Sequence, residues 1–329
     1  MVSKHKRRDG YWKYYHLAHT QERDFLAHHI VFLVNENPPP IQKKKSKLGR
    51  KLVHSKTKMY CICVLMVLFG VTYRDMQNII PSLNLPWGEP YPDHTTIARF
   101  FGRISTDWLE QILVRTAQMC LAECGWEKGI LSSDSTAVST DLYRHELRPV
   151  KNRHKFEQIK IRQYLKWHVT AILDHLVILS SRITGSRTHD SPVLKTMLNK
   201  MRKLGIDLKG SLFDADKGYD SDDRCKQIFE MGMLPNISQR KNAVNRNKRF
   251  RRQAAKIFDV AVYHYRGLIE GIFGAEESEH HQMYCRYKKR SNQQRWGQMK
   301  SIGWNLEVLN RLQCAAKLGI EVKQYEIAN

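Results

Sequence analysis

The residues of this sequence that could carry chemistry are acids at the ends of predicted strands and one acid on a predicted helix. Asp134 stands in Ile130-Leu131-Ser132-Ser133-Asp134-Ser135-Thr136. A strand that feeds a core alternates apolar side chains, so a carboxylate there needs a partner, a cation or an edge position to offset its desolvation. Asp214 and Asp216 lie in Leu212-Phe213-Asp214-Ala215-Asp216-Lys217-Gly218 and share one strand face, so either could reach a metal beside Asp134. The turn signal Lys217-Gly218 puts Asp216 at the strand's C-terminal end, where ligands of open sheets collect. Asp220, Asp222 and Asp223 read as turn and helix-start residues.

Glu270 shares a helical stripe with Tyr263 and Arg266, while Val262, Ile269, Ile272 and Phe273 supply an apolar face. An ordinary amphipathic helix with a surface Arg–Glu pair has the same spacing. Taken together, three such carboxylates suit phosphoryl transfer at a pair of magnesium ions about 4 Å apart, one activating the attacking oxygen and one stabilising the leaving oxygen.

The elements that must position these acids change character along the chain. From Met59 to about Cys124 the apolar spacing is helical, with start signals at Thr72 and Asp93. Two short helices around the Pro81–Pro92 turn fit either a helix-turn-helix, with Thr96 and Arg99 in a major groove, or a plain helical packing unit. After Trp126 strands are predicted at Ile130–Val138, Trp167–Asp174, Leu176–Gly185, Gly210–Asp216 and Leu234–Ser238, with Asp174-His175 at a hairpin bend. Helices are predicted over Asp190–Leu204, Asp222–Met231 and about Ala254–Ala275. That order predicts an α/β fold: a ribonuclease-H-like mixed five-stranded sheet flanked by helices, after an all-α N-terminal DNA-binding region. The expected division is a basic arm and linker at 1–58, a helical region at 59–128, a catalytic domain at 129–312 and a tail at 313–329.

Charge names the class of partner. The chain has 329 residues, 55 Lys plus Arg against 32 Asp plus Glu, and a formal charge of +23, which points to a polyanion and first to nucleic acid. Residues 1–58 hold fourteen basic residues against four acids, including the run Lys43, Lys44, Lys45, Lys47, Arg50 and Lys51 after a short helical segment. Arg240–Lys256 holds eight and no acid, and Tyr284–Leu306 six and no acid. Tyr143–Lys166, with eight basic residues against two acids, reads as a DNA-contacting loop or helix or as a solvated insertion. The longest apolar run, thirteen residues from Met59 to Val71, is shorter than the roughly 20 needed to span a bilayer. Seven Cys without a framework spacing, and no signal peptide, lead to the expectation of a reducing cytoplasm. Cys61, Cys63, Cys120, Cys124, His280, His281 and Cys285 lack the paired C-x-x-C of structural zinc sites.

Four blocks in order resemble the DDE catalytic domain of insertion-sequence transposases: Asp134-Ser135-Thr136, the hairpin from Lys166 to His189-Asp190-Ser191, Asp216-Lys217-Gly218-Tyr219-Asp220, and Tyr263/Arg266/Glu270. The resemblance spans about 129 to 310. It implies that Asp134, Asp216 and Glu270 hold two Mg²⁺, with Mn²⁺ able to substitute, that Tyr263 stacks on a displaced base and that Arg266 pairs with a phosphate. It further implies cleavage at element ends and strand transfer into target DNA, by a homodimer on terminal inverted repeats, in a prokaryotic, nucleoid-associated setting. The family signature continues with a Lys six residues beyond the Glu, where this chain has Glu277. Either Lys288 or Lys289 is then the expected substitute contact to DNA, or this branch lacks that contact. The rival expectations are a nuclease that cuts without joining and a DNA-binding protein descended from such an enzyme.

Overall fold

The computed structural model describes residues 10–40, 53–83, 85–140, 145–151, 156–239, 249–278, 283–320 and 322. The run Lys43–Lys51, residues 240–248 of the second basic stretch, and His280 and His281 lie outside them. The described chain opens with five helices: α1 (Tyr11–Glu36), α2 (Lys56–Leu68), α3 (Tyr73–Ile79), α4 (His94–Phe101) and α5 (Thr106–Glu123). The expected short segment near the N-terminus is a 26-residue helix. No Pro or Gly interrupts Tyr11–Glu36, and Tyr14, Ala18, Leu26, Ile30 and Leu33 recur on one buried stripe.

The two start signals act as read. Thr72 and Asp75 close a capping box on α3, and the Asp93 carboxylate accepts from the backbone N–H of Thr95 at 2.8 Å and Thr96 at 3.0 Å. Apolar on every side, α2 is buried from Lys58 to Leu68. The Lys58 ammonium is satisfied by the carbonyls of Gly88 (2.7 Å) and Pro90 (2.9 Å). Among the described residues no single helix is long and apolar enough to cross a membrane.

Then come β1 (Ile130–Thr140), β2 (His145–Lys151), β3 (Phe156–Arg162), β4 (Leu165–Ile172), β5 (Val177–Gly185), α6 (Asp190–Met201), β6 (Leu212–Ala215), α7 (Asp222–Glu230) and β7 (Leu234–Ile237). After them follow α8 (Arg249–Lys256), α9 (Val260–Tyr263), α10 (Glu270–Ser278), β8 (Tyr284–Cys285) and α11 (Arg290–Lys317). The main sheet has the order β5-β4-β1-β6-β7. In it β4 runs antiparallel to β1 and β5, while β6 and β7 run parallel to β1 and to each other. These are the five expected strands in the ribonuclease-H-like arrangement. The short β8, which pairs parallel with the end of β1, makes a sixth.

Two expectations are corrected. The described parts of the Tyr143–Lys166 insertion are strands where a loop or helix was expected: β2 and β3 form a separate antiparallel pair, register His145↔Arg162 to Lys151↔Phe156. The alternation Ile159-Lys160-Ile161-Arg162 is the period-two signal for it. The long helix predicted over Ala254–Ala275 is broken into α8, α9, a 3-10 stretch over His264–Ile269, and α10. Asp259 starts the second piece by accepting from the N–H of Ala261 (2.8 Å) and Val262 (3.3 Å), and a capping side chain in mid-pattern competes with continuous helix.

The spine is α11, buried along most of its 28 residues. It protects the exposed edge of β5: Asn305 accepts from Ile178 N–H (2.8 Å) and donates to the Ile178 carbonyl (2.9 Å), and Gln294 accepts from Ile183 N–H (3.0 Å). Close approach depends on Gly297, where a Cβ would lie 2.5 Å from Ile183. One hydrophobic cluster runs from Leu26 of α1 through the sheet to Leu312 of α11, so the helical region and the sheet share a core.

A buried ion pair joins α10 to this spine. Lys300 Nζ stands 2.5 Å from Glu276 Oε2, with the side chains 3% and 2% exposed. Removing one partner strands a charge in the core. Lys300→Met should therefore lower unfolding free energy by about 3–5 kcal/mol in urea titrations, with the double variant Lys300→Met, Glu276→Leu recovering most of it; a midpoint unchanged in the single variant would show that the pair is dispensable.

Candidate active site

The acids converge at the end of the sheet where β1 and β6 run parallel. Ser132 of β1, Asp214 of β6 and Asn236 of β7 are in register, so Asp134, two residues on from Ser132, shares their face. On that face Trp167, beside Thr136, packs on Phe273 of α10 and Trp296 of α11. This is the side on which the Tyr263–Glu270 segment lies.

Asp134 is half-buried. Burial raises its carboxyl above the usual carboxylate range, and the nearby charges of Glu270 and Asp216 push the same way. The Ser135 N–H at 2.8 Å and the Arg266 guanidinium oppose them. Arg266 Nη1 lies 3.8 Å from Asp134 Oδ2. Asp216 follows β6 and opens a 3-10 turn over Lys217–Tyr219 without capping it. Its Oδ1 is 3.4 Å from the Tyr263 hydroxyl, which donates to it. Tyr263 ends α9 and Arg266 lies in the 3-10 stretch that follows, and the guanidinium carbon sits 5.3 Å from the phenol ring centroid. Glu270, the first residue of α10, is exposed.

The five residues singled out at this end of the sheet are thus brought together. Among the described residues, no three His, Cys, Asp or Glu side chains stand close enough to hold a metal ion as placed. In type the donor set suits a hard divalent cation: carboxylate oxygens from three elements, each adding repulsion at Asp134.

Asp214, the alternative to Asp216, is fully buried and takes a different role. Its Oδ1 accepts from Asn236 Nδ2 at 2.7 Å, while its Oδ2 has no hydrogen-bond partner among the described residues. Burial pushes its carboxyl up to about 7. Asp220 is more than a turn residue: Arg251 of α8 grips it through Nε (2.7 Å) and Nη2, so part of the basic stretch points inward.

On the opposite sheet face, the Lys166 block meets the start of α6. Lys166 Nζ is 3.0 Å from Asp190 Oδ1, and His168 Nδ1 is 3.7 Å from the same oxygen. Burial lowers His168 to about 4, so the ring is neutral at pH 7. Tyr219 lies between the two clusters: burial raises its phenol well above the usual value, and the charges of Asp190, Asp134 and Asp216 add to this.

The remaining expected DNA contacts lie elsewhere on the chain. Arg99 is exposed on α4, and Lys288 and Lys289 are exposed before α11. Tyr287 stacks on Phe101 at 4.6 Å, which sets the Lys288–Lys289 loop against the helix that carries Arg99. Thr96, proposed with Arg99 as a groove reader, donates its hydroxyl to Asp93 at 2.7 Å. Glu277 is exposed on α10. Sequence reasoning missed Asn236, whose amide ties β6 to Asp259; a polar residue in the short apolar run Leu234–Ile237 was the available signal.

A family model for the transposase DDE domain matches residues 125–306, more than half of the chain. The chain belongs to this family of transposases with a DDE domain. No curated protein matches it. Among solved structures it is similar to the Mos1 transposase paired-end complex with left transposon end, at 9% identity over 72% of this chain and 81% of that one, with a TM-score of 0.24.

Asp214 gives a pH test of the local electrostatics. Its folded value near 7 lies above the ordinary carboxylate value of about 3.9. Between those values the native state holds a proton that the unfolded state has lost, so stability falls as pH rises through the window. In chelator-containing buffer, the urea midpoint of the wild type should fall relative to that of Asp214→Asn between about pH 4 and about pH 7 and level off above that. Parallel profiles would mean that Asp214 ionises as an ordinary carboxylate.

Proposed function

We propose that the chain cleaves DNA at the ends of an insertion sequence and joins those ends to target DNA, with Asp134, Asp216 and Glu270 as the metal-holding residues. The observation that carries this reading is the convergence of Asp134, Asp216, Glu270, Tyr263 and Arg266 at one end of the sheet, in a chain of the transposase DDE family. Magnesium, as two ions or with manganese in its place, would be held by those three acids and supply Lewis-acid activation of the attacking oxygen and charge stabilisation of the leaving oxygen.

The chain's own residues do the rest. Arg266, 3.8 Å from Asp134, offers its guanidinium to a phosphate oxygen beside the scissile bond. Tyr263, held towards Asp216 by its hydroxyl, presents its ring to a base displaced from the duplex. Arg99, Lys288 and Lys289 take backbone phosphates further along the end. Two ends must be held for joining, so the working form is a homodimer on DNA carrying terminal inverted repeats, in the nucleoid of a prokaryotic cytoplasm.

The test uses a plasmid carrying the DNA that flanks the coding region on both sides, which on this reading contains short inverted repeats. Side chains that merely orient metal ligands are worth about 10–100-fold. Loss of a ligand in Asp134→Ala, Asp216→Ala or Glu270→Ala should therefore cut cleavage by more than about 100-fold with DNA retention in mobility shifts nearly unchanged. Chelation by EDTA should match the variants. Normal cutting by Glu270→Ala would sink the assignment, and cleavage without a joined product would favour a nuclease over a transposase.

A further inference from the structure

We infer that Asn236 is a positioning residue: its amide clamps the backbone of Asp259 and so fixes the segment carrying Tyr263, Arg266 and Glu270 against the strands carrying Asp134 and Asp216. For its link to reaction rate, the inference rests on the function proposed above.

Asn236 is 1% exposed on β7, in register with Asp214 on β6. Its Oδ1 accepts from the Asp259 N–H at 2.8 Å, and its Nδ2 donates to the Asp259 carbonyl at 3.0 Å and to Asp214 Oδ1 at 2.7 Å. The amide therefore offers Asp259 the donor–acceptor pair that a neighbouring strand would offer. Only one orientation satisfies all three contacts, because the Asp259 N–H must meet an oxygen while the carbonyl beside it needs a donor. Asp214 marks the nitrogen end.

The clamp reaches the proposed reactive side chains through few bonds. The Asp259 carbonyl that Asn236 holds also accepts the Tyr263 N–H at 3.0 Å. The Asp259 side chain caps α9 at Ala261 and Val262. From α9 the chain passes without a break through the 3-10 stretch, which carries Arg266, into α10, which begins at Glu270. The far end of α10 is tied down by Glu276 and Lys300. Asp259 thus sets the rotational phase of everything up to Glu270, and an error of about 1 Å at reacting groups can cost on the order of 100-fold in rate.

The experiment compares full-length wild type with Asn236→Leu, which keeps the number and branching of side-chain heavy atoms and loses all three hydrogen bonds. Hydrogen–deuterium exchange should show amides from Asp259 to Ile269 exchanging at least about tenfold faster while those of β1 and β4 keep their protection. On the flanking-DNA plasmid with Mg²⁺, kcat for cleavage should fall about 10–100-fold with DNA affinity within about threefold. Asp259→Ala, at an exposed position, should loosen the same amides to a smaller extent and serves if Asn236→Leu does not fold. Retained protection of Asp259–Ile269 in a folded variant would overturn the clamp, as would full-rate cleavage despite a loosened segment. A wild type that cuts no DNA would defeat the proposed function instead, and the exchange data would still decide whether Asn236 sets the segment.

Discussion

Like charges gathered in a half-buried pocket repel one another, and the acidic end of this sheet concentrates that problem. Asp134 and Asp216 come from adjacent strands, and the charges of both Asp216 and Glu270 act on Asp134 in the same direction as burial. A flexible scaffold would let the acids drift apart. The structure meets the repulsion with one nearby guanidinium, Arg266, and with rigidity. Parallel pairing fixes β1 against β6, and α11 covers the outer edge of β5 with side-chain amides that stand in for a missing strand. The Glu276–Lys300 pair ties α10 to α11. The β1–β6 pairing and the Glu276–Lys300 pair fix elements that carry or adjoin the carboxylates, and the cover on β5 fixes the far edge of the sheet on which they stand.

Much of this frame was legible because its signals are local. Thr72 and Asp93 announce helix starts through side-chain capping, which needs no knowledge of tertiary structure. The five central strands and their turn at Lys217-Gly218 follow from period-two patterning and breakers, and they placed Asp134 beside the strand end at Asp216, although β1 runs on to Thr140 and so carries Asp134 in mid-strand and not at its expected end. What escaped was set by distant partners. Asp214 and Asp216 share a face by strand alternation, and the burial of Asp214 against the amide of Asn236 across the β6–β7 pair was not visible in the sequence. The length of α1 follows from its packing on α11 rather than from propensity. The β2–β3 pair was hidden by its basic composition, although Ile159 and Ile161 alternate with Lys160 and Arg162.

The broken helix before Glu270 shows how a sequence pattern can give a correct juxtaposition for a partly wrong reason. The spacing of Tyr263, Arg266 and Glu270 was read on a continuous α-helix, where residues three and four apart share a stripe. The chain instead tightens to 3-10 geometry over His264–Ile269, where residues three apart eclipse. Arg266 lies in that stretch, and its guanidinium carbon sits 5.3 Å from the ring centroid of Tyr263, the last residue of α9. Ile269, Ile272 and Phe273 still turn into the core, because the apolar face is decided by what the sheet offers to pack against.

Charge is divided between two scales. The net charge of +23 is carried by side chains such as Arg99, Lys288 and Lys289 that stay exposed, where their field reaches an approaching polyanion over roughly a Debye length of about 8–10 Å. Close to the acids the balance reverses: Asp134 lies in a buried strand and Asp216 at the end of another, where screening is weaker than at the surface, and Arg266 faces Asp134. A phosphodiester drawn in by the outer cations meets a locally acidic pocket that repels it unless further positive charge is present there. On the function proposed above, attraction at long range and repulsion at short range together would make occupation of the pocket depend on a cation held by the acids, the electrostatic condition that would separate holding DNA from cutting it.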